Sequence, residues 1–334
     1  MPELPSHNSY MFSVFRREAL TSPFREDMND WWKRYGGQPE STDESYYKYN
    51  RERLDSIARR NGDRQMLRYM SLLDAYLNVS ENISLDAWNY PTKQELASRD
   101  STLRALLDAC EKYKGGGMDK QYALMTMRAN MLLGRDKANM LYWTATASKQ
   151  PDGVWREMCR NIYARALLNS GLRRQACDIY AEQGDMQSIK WCMRKYRNMA
   201  GIRKVYSENP DSPTLLYLVQ DLVNNLQETL DTRDDSPFRL HTGGTDIRKV
   251  ADSEANEFLN FADEVIKEKR TQSPCLWQSA AAMIEYLMGN YDEAYRRAAQ
   301  AVKMDGSQRM KDNARCIRML AKATTMKLEG SSTA

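Results

Sequence analysis

The stretch LWQSAAAMIEYLMGNYDEAYRRAAQAVKMD, residues 276–305, decides the fold, because it reads as two antiparallel helices joined by a tight glycine turn. Gly289-Asn290-Tyr291 closes the turn, and Ala294, Ala298 and Ala301 set small side chains on the packing face of the second helix. A helix pair of this kind cannot bury its own apolar surface, so neighbours must stack on either side. The pattern specifies a shape and no reaction.

The same kind of writing extends toward the N-terminus. Ser212 is suited to cap a helix and Pro213 to open it, and Leu215, Val219, Leu222, Val223, Leu226 and Leu230 then form one apolar face. Before it, short helices are expected at about 119–133 and 153–169 and around Ile189, with breaks at Gly134, Gly171 and Gly184. A longer helix should start near Thr92, carry Leu96, Leu103, Leu106 and Leu107, and stop at Gly115-Gly116-Gly117. Residues 44–77 have a clear helical period, interrupted at Asn61-Gly62-Asp63. Pro2, Pro5, Pro23 and Pro39 make 1–42 irregular, apart from a short helix near Arg25–Tyr35. Its adjacent Trp31 and Trp32 cannot share one helix side, so one of them should touch another element or a partner. The expected organisation is an irregular segment 1–42, a helical subdomain 43–117, a central repeat region 118–232, a loop 233–251 and a helical unit 252–334.

Three turns share a spacing: Gly134–Ala138–Tyr142, Gly171–Ala176–Tyr180 and Gly289–Ala294–Ala298. In each, the glycine closes a turn and the alanine lets two helix backbones approach. On Gly289, Tyr291, Ala294, Ala298 and Ala301 the chain resembles the second half of a tetratricopeptide repeat, while Trp277 and Tyr286 stand about one position off the first half. The resemblance covers roughly 275–304, extends weakly over 119–184 and does not reach before 118. It implies an all-α fold of stacked antiparallel helix pairs in a right-handed superhelix. It also implies a non-enzymatic scaffold for proteins or peptides, or for glycans as in some bacterial envelope proteins.

Composition agrees with helices: 16 Gly and 10 Pro in 334 residues leave few breaks, and 20 Met suit irregular helix–helix gaps. The six cysteines lack CxxC spacing and sit among apolar neighbours, so buried thiols are expected rather than disulfides, and two histidines argue against a zinc site. No apolar run is long enough for a membrane span, and MPELPSHNSYMFSVF has no signal-peptide h-region. The expectation is a cytoplasmic protein, or a piece of a longer exported one.

Catalytic motifs are scarce. His7 and His241 lie in irregular stretches, and His241-Thr242-Gly243-Gly244 lacks the preceding strand and following Lys-Ser/Thr of a phosphate loop. Neither a catalytic site nor a cofactor or metal is expected. Two stretches are candidate binding surfaces, and each reads equally as an ordinary solvated helix face. The segment 154–204 carries eleven bases against four acids, with Arg156, Arg160, Lys190 and Arg194 as its candidate contacts for an acidic peptide or nucleic acid. The amides Gln220, Asn224, Asn225 and Gln227 flank the apolar face of the helix after Pro213, where they could grip an extended backbone. A protein or peptide partner is the leading reading, with nucleic acid and glycan as alternatives.

Overall fold

The computed structural model describes residues 10–15, 30–37, 47–81, 91–231 and 248–331, and helix is the regular secondary structure throughout them. The chain folds as two compact units, 19–183 and 184–334, and the second also takes in residues 1–18. The division falls inside the stretch that repeat spacing groups as one central region.

In the first unit the helices are α1 (30–35), α2 Tyr47–Arg60, α3 Arg64–Glu81, α4 Lys93–Glu111, α5 Asp119–Leu132, α6 Asp136–Ala145, α7 Val154–Asn169 and α8 Arg173–Glu182. α4 begins with a capping box, in which Glu95 N–H donates to Thr92 Oγ1 and Thr92 N–H donates to the Glu95 carboxylate. α5 is the central helix, buried on opposite sides by Tyr122 and Met125 toward α3 and α4 and by Leu124 and Met127 toward α7. Trp31 and Trp32 are both buried. Trp31 meets Tyr69 edge-on at 6.2 Å, and Arg53 covers Trp32 at 4.9 Å, so neighbours reach this short helix from two sides. α3 runs four residues past Leu77, where the helical period read in the sequence ends, and carries exposed Asn78.

In the second unit the helices are α9 Met186–Met193, α10 Met199–Glu208, α11 Thr214–Asp231, α12 Asp252–Glu268, α13 Pro274–Leu287, α14 Tyr291–Ala301 and α15 Gln308–Ser331. α13 and α14 form the hairpin of residues 276–305, and α15 packs on both. Gly289 turns the chain at φ +86°. Ala280, Ala281, Ala282, Ala294, Ala298 and Ala301 are all fully buried, which is the close backbone approach the spacing calls for. Trp277 lies at the centre with no exposed surface, ringed by Tyr206, Phe258 and Phe261 at centroid distances of 5.4, 5.9 and 5.5 Å. At Gly201 a Cβ would stand 2.0 Å from Tyr196 O, so only glycine fits the start of α10.

The three glycine–alanine turns do not pack alike. Ala176 with Tyr180 and Ala294 with Ala298 are buried, but Ala138 is only half-buried. Asn139 takes the core position beside it, its Nδ2 donating 2.9 Å to Met127 O. An amide that satisfies a neighbouring carbonyl can occupy a buried site that apolar periodicity assigns elsewhere.

Candidate functional site

The site is the polar side of α11. At 100° per residue, Leu218, Val219, Leu222, Val223 and Leu226 point to one side, and Tyr217, Gln220, Asn224 and Gln227 to the opposite side. Both sides are covered, since Tyr217, Asn224 and Gln227 are buried. An amide loses water on burial and must recover its hydrogen bonds. What covers it is a six-residue strap, Tyr10–Phe15, which is not helical.

The strap lies antiparallel to α11 and is held by its main chain. Met11 N–H donates 3.1 Å to Gln227 Oε1, and the N–H groups of Val14 and Phe15 each donate 2.7 Å to Gln220 Oε1. The Tyr10 hydroxyl donates to Glu228 Oε1. From the other flank α15 closes over it. Arg309 Nε donates 3.0 Å to Ser13 O and its Nη2 donates 2.9 Å to Ser13 Oγ, while Asn313 Nδ2 reaches Met11 O at 3.4 Å. Phe12, Val14 and Phe15 are buried beneath these contacts, with Phe15 edge-on to Tyr217 at 5.8 Å.

The spacing explains why a helix can grip an extended chain. Seven helical residues from Gln220 to Gln227 rise about 10.5 Å, and three extended residues from Met11 to Val14 span about 10 Å. On α15, Arg309 to Asn313 rises about 6 Å against roughly 6.6 Å for Met11 to Ser13. α11 thus reaches main-chain groups three residues apart, and α15 reaches alternate ones. α11 uses the device a second time: Asn225 Oδ1 accepts from Arg248 N–H at 2.8 Å and Thr229 Oγ1 from Val250 N–H at 3.0 Å.

Of the six candidate contact residues, the structure brings Gln220 and Asn224 onto this face. Asn224 Oδ1 is buried midway between the two gripping glutamines and takes no hydrogen bond from the described residues. Arg156 and Arg160 belong to the other unit, on α7, where Arg156 pairs with Asp152 and Arg160 with Glu157 and Glu182. Lys190 is half-buried in α9, and the exposed Arg194 lies 5.9 Å over the Trp191 ring. At least five of the eleven bases of 154–204 are tied to carboxylates. Arg197 binds Asp221 in a fork at 2.8–3.1 Å, Arg203 meets Glu257 and Glu264 at 3.1 and 3.2 Å, and Arg174 meets Asp178 at 3.8 Å. Such pairing leaves less net charge to meet phosphates than the residue count suggests.

Trp31, Trp32, Trp155 and Trp277 are buried, and Trp143 stacks on Tyr163 at 5.3 Å, so Trp191 is the exposed tryptophan among the described residues. His7 and His241 lie outside the described residues. Among those described, no group of His, Cys, Asp and Glu is arranged to hold a metal ion, and no helix is long and apolar enough to cross a membrane. Cys159, Cys177, Cys192 and Cys275 are buried and Cys110 is half-buried, whereas Cys316 is exposed on α15, against the expectation for all six.

Sequence reasoning picked out the amides but missed the strap and its α15 clasp. The available signal was the alternation Tyr10, Phe12, Val14, a period of two in a chain otherwise written at 3.6. No protein-family model, curated protein or solved structure matches this chain.

Proposed function

We propose that this protein is a non-enzymatic, tetratricopeptide-like helical-repeat scaffold that binds a protein or peptide partner. The observation that carries the reading is the α11 polar face, where half-buried Gln220 and buried Gln227 ligate a non-helical main chain rather than a neighbouring helix. Recognition through the main chain, with pockets for alternate side chains, is a general way of holding peptides. The repeat character is supported by the α13–α14 hairpin, its glycine turn and its buried alanines, with α15 laid on the pair as a further helix.

The test is reconstitution. The purified chain should capture a specific protein from its source, and that protein, purified separately, should rebind at one-to-one or another fixed ratio in moderate salt. Binding that needs nucleic acid and falls steeply as salt rises would contradict the reading, because counterion release would then dominate the affinity.

A further inference from the structure

We propose that the groove between α11 and α15 is a binding site for an extended apolar segment of a partner protein, and that Tyr10–Phe15 fills it in cis as a displaceable stand-in. The inference deepens the scaffold reading and rests on it. Three observations carry it. First, four side chains, Gln220, Gln227, Arg309 and Asn313, bond to strap main chain, so this part of the grip does not depend on strap sequence. Second, buried Asn224 Oδ1, on the same side of α11 as Gln220 and Gln227, takes no hydrogen bond from the strap, as expected where a stand-in satisfies the site incompletely. Third, the strap is separated from the rest of its own unit by residues 19–183, the whole of the other unit. Its docking therefore closes a very long loop, an entropic cost that a contact local in sequence does not bear.

The second gripped segment shows what a purely structural use of the device looks like. Arg248–Val250 leads directly into α12 and is fixed by that connection. Among the described residues, no helix of its unit is contiguous in sequence with the strap. The chemistry of the occupant follows from the strap: apolar or aromatic residues at alternate positions, as Phe12 and Val14, then an aromatic as at Phe15, with no proline at the positions that donate N–H to Gln220 and Gln227.

The experiment uses full-length protein and a fluorescent synthetic copy of Tyr10–Phe15 carrying two added lysines for solubility. In wild type the tethered strap competes as an intramolecular ligand, so the probe should bind weakly. The variant Phe12→Asp with Phe15→Asp ejects the strap and leaves the groove untouched; it should bind the probe at least about tenfold tighter, and adding Gln220→Ala should reverse most of that gain. If the double variant loses helical content, Phe12→Ala replaces it and should give a smaller gain of the same sign. A folded strap variant that binds no better than wild type overturns the proposal. So does a wild-type dimer that dissociates when the strap is ejected, since a second copy would then be the occupant. Probe binding without any captured partner would sink the scaffold reading alone, and a partner that binds with no change in either variant would sink the groove alone.

Discussion

At the residue scale, burial decides which side chains react and which titrate. Desolvation pushes the thiols of Cys159 up to about 12 and of Cys110 and Cys275 up to about 11, so little of each is thiolate at neutral pH. Alkylation of the native protein followed by peptide mass spectrometry should modify Cys316 first, and the buried thiols only when urea is added. Native labelling of Cys159 or Cys275 at the rate of Cys316 would contradict their placement. Arg297 is the charged centre of the hairpin, buried and forked to Asp263 at 2.7 and 3.0 Å, with Glu293 at 3.0 Å and Glu285 at 3.5 Å. That hydrogen bonding holds the Asp263 carboxyl below its ordinary value, with burial opposing. A carboxylate depressed on folding stabilises above its unfolded pKa of about 4, and the gain is lost as pH falls through the lower folded value. Asp263→Asn should therefore unfold at lower urea than wild type at pH 7, and the gap should narrow at pH 3. A gap that stays the same at both pH values would show that the charge is not the cause.

At the element scale, the hairpin of residues 276–305 was legible because each rule points the same way there: a glycine turn, alanines at three- and four-residue steps and a central tryptophan. Trp277→Ala empties the site ringed by Tyr206, Phe258 and Phe261 and should cost about 3–5 kcal/mol, read from equilibrium urea denaturation. A loss below about 1 kcal/mol would mean that the hairpin is not the core of its unit. Elsewhere legibility failed for identifiable reasons. Asn139 took a core position by donating to Met127 O, which apolar spacing cannot register. Trp31 and Trp32 are both buried because packing partners arrive from two sides, a tertiary fact that the helix itself does not encode. Cys316 occupies an exposed face of α15 despite neighbours that look apolar in sequence. The amides of α11 were half legible. Their position opposite the leucine face could be read, but what Gln220 and Gln227 hold comes from more than 200 residues away.

At the scale of the whole molecule, the strap is the feature that turns a stack of helices into a candidate receptor. It brings Tyr10–Phe15 onto a unit that otherwise starts at Gly184. Local structure with few supporting neighbours opens below the global unfolding free energy, while a central helix such as α13 opens only with its unit. The central claim is therefore best tested by native-state amide hydrogen exchange of the full chain, followed at Met11, Val14 and Phe15 and at the amides of α13. Protection at all three strap amides, lost at least about a hundredfold faster than in α13, is the predicted result. Strap amides that exchange as in an unfolded peptide, or as slowly as those of α13, would contradict a docked and displaceable segment.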